Sequence, residues 1–380
     1  MKKRNEVIHL VTVSKSLYLL RGQLEYLKNK GYKISLASSP GKELTDFNET
    51  SRKYTIPMER EISVFKDVFS LIRLLKLFLN KQPLIVNSGT PKAGLLGILS
   101  AYLTNVPIRI YTMRGLKLQT TKGVKFYVLW LMEKLCCTLA TDVLCISKSI
   151  QEEVIKLKLV TRDKTVVLGN GSSNGINISL YPEKFNTKEL VIDNYNHNLF
   201  TLGYIGRLVK DKGIDDVIQV YQSFKNLGYS CQLLLVGSIE EGDPISKESY
   251  DAIKEDKNIV YLPHLYNPSK YYYLIDVFLF LTAREGFGNV SIESQAASTP
   301  VIAYNVTGAK DTIQNGKTGF IIDKGNVEEV LEKAIYFYNN RAILQKYGEN
   351  SREFVLNNFS NEVVWDEMDQ FYQKRINEVK

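Results

Sequence analysis

Residues 279–293 read Leu279-Phe280-Leu281-Thr282-Ala283-Arg284-Glu285-Gly286-Phe287-Gly288-Asn289-Val290-Ser291-Ile292-Glu293. An apolar run of buried-strand type stops at a charged turn punctuated by glycines, and an amphipathic helix opens directly behind it. Gly286 and Gly288 lack a Cβ, so several backbone N–H groups can approach an anion at the mouth of that helix. With Glu285 in the turn and Glu293 in the helix, the helical rise separates the two carboxylates by at most roughly 12 Å. That is the span from a sugar ring across a diphosphate to a ribose, and each carboxylate can accept hydroxyl hydrogen bonds at one end of it. The plain alternative is a strand-turn-helix whose acids face solvent.

Outward from this stretch the chain alternates short β-rich runs with helical patterns. Strand-like runs fall at 7–13, 33–37, 84–87, 108–112 and 143–146, with a helix at 24–30 between the first two. A polar stretch at 168–197, including Gly169-Asn170-Gly171-Ser172-Ser173-Asn174-Gly175, reads as a connection between domains. Alternation resumes with strands at 200–205, 232–236, 259–262, 277–281, 301–304 and 319–322 and a helix at 214–227. Such alternation implies βαβ units and parallel sheets. The expectation is an α/β protein of two doubly wound domains: 1–175, a linker at 176–198, and 199–355. A final helix at 356–380 carries Val363, Val364, Met368, Phe371 and Tyr372 at helical spacing, an apolar face that can pack on either domain or cross back to the first. Two open sheets of this kind place the carboxyl ends of their strands around a shared cleft, where ligands bind.

A length of 380 residues fits two cores better than one, and 44% apolar with 24% charged residues is a globular composition. Charge is unevenly placed. Residues 1–150 hold 24 Lys and Arg against 10 Asp and Glu, whereas residues 201–380 hold 19 against 25. A basic half attracts nucleic acid, anionic lipid or a phosphorylated acceptor. Met1-Lys2-Lys3-Arg4 runs directly into a strand pattern without a signal-type apolar region, and Cys136, Cys137, Cys145 and Cys231 have neither metal nor disulfide spacing, so the reading is a reducing cytoplasm. The apolar window 124–144 is broken by Lys125, Glu133, Lys134 and Asp142 and is no membrane span. Residues 65–79 form a basic amphipathic pattern with two uses, core packing of its apolar face or lying on a leaflet.

Behind the first strand of the second half comes Gly203-Tyr204-Ile205-Gly206-Arg207-Leu208-Val209-Lys210-Asp211-Lys212-Gly213. Arg207 offers a planar fork and Lys212 a point charge, a pair suited to a diphosphate. Gly206-Arg207-Leu208 with Lys212-Gly213, then Arg284-Glu285-Gly286-Phe287-Gly288-Asn289 and Glu293, resembles the donor site of glycosyltransferase family 4, and in particular the bacterial enzymes that build capsular and extracellular polysaccharides. The likeness takes in Leu235-Val236-Gly237, Asp276, Gly308, Asp311 and Gly316-Lys317-Thr318-Gly319, and earlier Thr90-Pro91-Lys92-Ala93-Gly94, Tyr111-Thr112-Met113-Arg114-Gly115-Leu116 and Asn170-Gly171-Ser172.

The resemblance implies the GT-B fold, two Rossmann-like domains facing a central cleft, and a retaining transfer of a sugar from a nucleoside diphosphate sugar, a UDP sugar, without a metal or other cofactor. It places Arg207 and Lys212 on the donor diphosphate, Glu285 with Gly286, Phe287, Gly288, Asn289 and Val290 around the transferred sugar, and Glu293 on the ribose. Gly206 and Gly237 shape the donor loops, and Leu265 flanks the base. Many relatives place histidines in the loops equivalent to 87–90 and 113–115, where this chain has none; Arg114 stands there as a catalytic cation, unable to act as a base at neutral pH. Lys15, Arg21, Thr90, Lys92 and Lys117 are the acceptor-side residues, with Lys122 completing a basic rim for an undecaprenyl diphosphate-linked saccharide. The implied location is cytoplasmic, in peripheral contact with an anionic membrane surface at the inner face of the plasma membrane. Two other classes are weighed against this one. A nucleotide-sugar 2-epimerase of the same architecture needs acid and base groups near C2, which the scarcity of histidines there disfavours; His9, His197 and His264 read as packing or surface residues. A nucleic-acid-binding protein would interleave stacking aromatics with its basic residues, whereas the tyrosines cluster elsewhere, as in Tyr271-Tyr272-Tyr273.

Overall fold

Residues 6–50, 52–61 and 63–379 are described in a computed structural model of the chain, so the opening Met1-Lys2-Lys3-Arg4, read above as lacking a secretory signal, lies outside the described residues. The chain divides into two compact units, one from the described residues of Met1–Gly175 and Asn361–Lys380, the other Ile176–Ser360.

The N-terminal unit runs β1 (Glu6–Leu10), α1 (Gln23–Asn29), β2 (Lys33–Ser38), α2 (Lys42–Asp46), β3 (Arg52–Thr55), α3 (Val64–Lys81), β4 (Ile85–Ser88), α4 (Pro91–Leu103), β5 (Ile108–Met113), α5 (Val124–Leu139), β6 (Asp142–Cys145), α6 (Lys148–Lys156) and β7 (Thr165–Val166). Its seven strands are parallel in the order β3-β2-β1-β4-β5-β6-β7, so the winding direction reverses between β1 and β4. The central strands are buried on both faces, and their side chains alternate between two cores. Val7, Ile34, Leu36 and Ile110 pack with Leu24 and Leu27 of α1, while Ile8, Leu10 and Val86 pack with Leu74 and Phe78 of α3 and Ala93 and Leu96 of α4. β3 and β7 were not among the expected strands.

The second unit contains β8 (Phe200–Ile205), α7 (Ile214–Asn226), β9 (Cys231–Val236), α8 (Lys247–Glu255), β10 (Ile259–Leu262), β11 (Val277–Phe280), α9 (Asn289–Ala296), β12 (Val301–Tyr304), β13 (Gly319–Ile322), α10 (Val327–Asn339) and α11 (Arg341–Phe359). Its six parallel strands follow β10-β9-β8-β11-β12-β13, with the reversal between β8 and β11. Residues 176–198, expected as a linker, fold with this unit and carry two short 3-10 turns at Ile178–Leu180 and Thr187–Glu189.

The last helix, α12 (Asn361–Glu378), packs on the N-terminal unit. Met368, Phe371 and Tyr372 enter the core beside α1, and Asp369 accepts a 2.7 Å hydrogen bond from the Tyr32 hydroxyl. Tyr372 also meets Asn87 at the end of β4, 2.8 Å away, and Arg375 pairs with the buried Asp142. No helix among the described residues is long and apolar enough to cross a membrane, and the four cysteines are buried and unbridged.

One half-buried acid is expected to make the stability of this unit depend on pH. Glu133 on α5 accepts a 2.8 Å hydrogen bond from Tyr111 next to Cys136 and Cys137, and burial pushes its carboxyl up to about 7 from an ordinary 4.5. The native state therefore holds this proton more tightly than the unfolded chain. Stability from this group is full below about pH 4.5 and is lost as the pH rises through 7. Glu133→Gln, which keeps the shape without the charge, is expected to raise the thermal midpoint at pH 8 by roughly 3 °C or more and to change little at pH 4.5, read by calorimetry at both values.

Candidate active site

The reversal of winding between β8 and β11 opens a crevice at the carboxyl ends of those strands, the position where doubly wound sheets bind ligands. The loops leaving these two strands are the two that carry the chemistry-bearing residues singled out above. β8 forms because Phe200–Ile205 is mostly apolar and fully enclosed, and it ends at Gly206. There Gly237, which closes β9 with φ +147°, touches the preceding loop so closely that a Cβ would sit 1.8 Å from the Gly206 carbonyl oxygen. Only glycine fits there. The chain then passes Arg207 and turns through a 3-10 segment, Lys210–Lys212, before α7.

The β8 and β11 loops are tied to each other. The Ala283 amide donates to the Asp211 carbonyl at 2.9 Å, and the buried Thr282 hydroxyl bonds the Asp211 and Arg284 carbonyls at 3.2 and 3.0 Å. Arg284 reaches the Asp211 carboxylate at 3.5 Å. Within this frame Lys212 Nζ forms an ion pair with Glu285 Oε1, the two side chains only 15% and 18% exposed. In that setting the Coulomb attraction is far stronger than in bulk water. Arg207 is different: it is exposed and pairs with the exposed Glu240 at 3.1 Å, a contact that water and salt weaken.

Glu285 is held from behind. Its amide donates to the Thr307 carbonyl at 3.0 Å, and Gly308, at φ +79°, backs the Glu285–Gly286 peptide so tightly that a Cβ would lie 2.5 Å from the Glu285 carbonyl oxygen. Past Gly286, the Phe287 ring turns into the core against Phe359, so only its backbone is left for a ligand. Gly288 starts α9 without a capping side chain, which leaves the amides of the opening turn, at Asn289 and Val290, suited to an oxygen acceptor. Inside α9, Glu293 accepts a 2.8 Å hydrogen bond from the buried Tyr272 hydroxyl; burial raises its carboxyl pKa, and the Tyr272 bond works against that rise. Leu265 is half-buried in the loop beyond β10.

The second unit thus gathers Arg207, Lys212, Glu285, the Gly286–Asn289 turn and Glu293 on the loops and helix at its reversal point. The N-terminal unit carries the remaining expected residues. Arg114, at the end of β5, donates through Nε to the Gly89 carbonyl at 3.1 Å and has a buried Nη1 with no protein partner, and desolvation lowers its pKa to about 10. Thr90 shares a 2.7 Å hydroxyl bond with Thr12. Lys15, Arg21 and Lys117 are exposed. Lys92 departs from the expected rim. It is buried, pairs with Asp67 of α3 at 2.7 Å and donates to the Glu61 carbonyl, fastening α4 to α3. His9 is also a packing residue, enclosed beside Tyr372, its pKa lowered to about 3 by burial and by Arg114. Among the described residues no group of three or more His, Cys, Asp or Glu is placed to share a metal ion.

Known proteins resemble this chain in sequence and in fold. A family model of glycosyl transferases group 1 matches residues 187–354, and a glycosyl transferase 4-like model matches residues 6–147. Over 381 aligned residues, 99% of each chain, the protein is 44% identical to the capsular polysaccharide biosynthesis glycosyltransferase CapM of Staphylococcus aureus. The chain belongs to glycosyltransferase family 4. This glycosyltransferase is also 25% identical, over 89% of its own length and 88% of the other chain, to the Escherichia coli UDP-Gal:alpha-D-GlcNAc-diphosphoundecaprenol alpha-1,3-galactosyltransferase. Among solved structures it superimposes with a TM-score of 0.81 on sucrose-phosphate synthase from Thermosynechococcus elongatus, at 18% identity over 99% and 100% of the two chains. With HepE of Anabaena in complex with UDP the TM-score is 0.78, at 16% identity over 97% and 100%. The two Rossmann-like units of this glycosyltransferase are those of the GT-B fold, as expected from the resemblance. The curated relatives are transferases, which favours neither the epimerase nor the nucleic-acid reading.

Three supporting residues were not read from sequence as part of this site's framework. Tyr272 fixes Glu293, Thr282 ties the two loops, and Gly308, quoted only within the resemblance, backs Glu285. For Gly308 the signal was available, a glycine in a loop directly behind a strand at the same sheet edge. For Tyr272, in a run of three tyrosines, sequence spacing does not show which ring is buried.

Proposed function

We propose that this enzyme transfers a sugar, with retention at the anomeric carbon and without a metal, from a UDP sugar to a lipid-linked saccharide in capsular or extracellular polysaccharide assembly. The observation that carries this reading is the enclosed Lys212–Glu285 pair beside the uncapped start of α9, at the reversal point of a doubly wound unit. A cation and a carboxylate neutralising one another keep the site electrically balanced until a substrate brings its own anion and its own hydroxyls. On donor entry Lys212 exchanges Glu285 for the diphosphate, and Glu285 is released to accept hydroxyl hydrogen bonds from the sugar. The exposed Arg207 leaves Glu240 to add its fork to the same diphosphate. Glu293, with one oxygen held by Tyr272, presents the other to the ribose hydroxyls. The residues of the second unit bind the donor; in the first, Lys15, Arg21, Thr90 and Lys117 serve the acceptor, and Arg114 is the catalytic cation, its buried Nη1 held ready for charge that develops in the reaction.

The chemistry follows from where charge develops. As the anomeric C–O bond breaks, its electrons pass to the diphosphate oxygen, which Lys212 and Arg207 stabilise more strongly than the ground state. The acceptor hydroxyl attacks the same face and passes its proton to that departing oxygen. No protein base is required, which suits a chain without a histidine at the loop beside Arg114. The names of the relatives in Staphylococcus aureus and Escherichia coli support the capsular role and the diphosphoundecaprenol-linked acceptor.

The test is a panel of radiolabelled UDP, GDP and ADP sugars incubated with the full chain and a membrane lipid extract. Label in the lipid fraction from a UDP sugar, unchanged by EDTA and with the donor's anomeric configuration in the product, is expected. Free epimerised sugar nucleotide with no labelled lipid, an inverted linkage, or complete loss on chelation would each contradict the reading.

A further inference from the structure

The core that α12 closes turns polar where it meets the carboxyl ends of the strands. His9 on β1, Asn87 on β4 and Thr112 on β5 come two residues after Val7, Ile85 and Ile110 of that core, on the same sheet face, and all three are buried. Burial of this much polarity is unfavourable unless every group is paired. One side chain of α12 completes the pairing. The Thr112 hydroxyl donates to Asn87 Oδ1 at 2.7 Å, and Asn87 Nδ2 donates to the Tyr372 hydroxyl oxygen at 2.8 Å. The Tyr372 hydroxyl lies 3.3 Å from His9 Nε2 and is left to donate its own proton there, which requires a neutral imidazole with Nε2 unprotonated. Burial, and then the Arg114 cation, keep His9 in that neutral form.

This relay of hydrogen bonds lies one or two residues before each part of the cradle that holds Arg114. After His9 comes Leu10, whose carbonyl accepts the Gly89 amide at 2.9 Å. Two residues after Asn87 comes Gly89, whose carbonyl accepts Arg114 Nε at 3.1 Å, and two after Thr112 comes Arg114 itself. The guanidinium lies so close to the Gly89 backbone that a Cβ there would sit 3.0 Å from Nε, so a shift at the end of β4 carries the cation with it. We infer that Tyr372 is a positioning residue for Arg114: its hydroxyl locks together the ends of β1, β4 and β5, and those ends aim the unpartnered Nη1. The inference rests on the role of catalytic cation given to Arg114 above. Packing does not account for the hydroxyl. The Tyr372 ring already meets Tyr32 and Phe371, and a phenylalanine would fill the same space without reaching the strand ends.

Tyr372→Phe keeps the ring and removes the lock. In the full chain it is expected to lower kcat roughly tenfold while KM for the UDP sugar stays within about twofold, because donor binding belongs to the second unit. Thr112→Val breaks the far end of the same relay and should act in the same direction, which keeps the test available if circular dichroism shows Tyr372→Phe to be unfolded. Arg114→Gln separates positioning from general loosening. It is expected to lower kcat roughly tenfold or more, and in its background Tyr372→Phe should cost less than about twofold further, since no cation remains to be aimed. A readout without substrate is solvent exchange of the Arg114 Nε–H by nitrogen-15 NMR, expected to quicken roughly tenfold in Tyr372→Phe. Unchanged exchange, or a kcat within about twofold of wild type in the folded relay variants, overturns the inference. So does a fall that persists undiminished in the Arg114→Gln background, which would mark a merely structural hydroxyl. Full turnover by Arg114→Gln would remove the cation's role and this inference with it, whereas an impaired Arg114→Gln beside an unaffected Tyr372→Phe removes this inference alone.

Discussion

Lys212→Ala is expected to lower kcat/KM roughly 10³-fold, because the leaving diphosphate loses the cation that meets its developing charge in an enclosed site. Glu285→Ala should fall by a similar factor, since the transferred sugar loses a charged hydrogen-bond acceptor. The two side chains form one ion pair, so their effects should not add: the double variant is expected to sit within roughly tenfold of the worse single one. Removing either partner leaves the other charge largely enclosed. The expected cost is roughly 2 kcal/mol, below the range for a fully buried pair because each side chain keeps some exposure to water. Circular dichroism and a thermal midpoint establish that the variants are folded, and steady-state transfer kinetics read the effect. Turnover within tenfold of wild type in either single variant would refute the roles given to the pair.

The second large effect belongs to a residue that touches no substrate. Gly308→Ala places a methyl 2.5 Å from the Glu285 carbonyl oxygen and forces a side chain into φ +79°. The backbone strain alone is worth roughly 1–2 kcal/mol. The Glu285–Gly286 peptide must also move away from the new methyl, and a displacement of this size at a reacting centre is expected to lower kcat roughly 10²-fold. Gly316 supplies the control. It has nearly the same φ, +76°, but open space where its Cβ would lie, so Gly316→Ala carries the strain without the collision. Equal activity in the two variants would mean that the Gly308 contact does not position Glu285.

Much of this molecule was legible in its sequence for identifiable reasons. The central strands of parallel sheets are buried on both faces, so 277–281 and 301–304 read as unbroken apolar runs and 200–205 as a run interrupted only by Thr201 and Gly203, and their observed bounds lie within a residue or so of the expected ones. β3 escaped because Arg52-Lys53-Tyr54-Thr55 is an edge strand, mostly exposed, whose polar side chains carry no burial pattern. β7 escaped because it is two residues long. The α3 segment was open to two uses, core packing or lying on a leaflet, and it has one stripe inside and a second outside. In the site, Lys212 and Glu285 were found because glycines and charges cluster in the short loops behind two strands. Their mutual pairing was not, since 73 residues separate them and only the strand order brings them together. Lys92 misled for a related reason, as an isolated lysine at the start of a helix reads as solvated until its partner on another helix is known.

The docking of α12 on the first unit reaches into biosynthesis. Met368, Phe371 and Tyr372 fill a core whose other members, such as Val7, Leu24 and Ile34, leave the ribosome more than 300 residues earlier. That core receives its last members only once translation passes Tyr372, by which time Ile176–Ser360 is already synthesised in full and can close first. Synthesis thus makes the second unit complete before the first, the opposite of the usual order in which amino-terminal domains are finished ahead of those behind them.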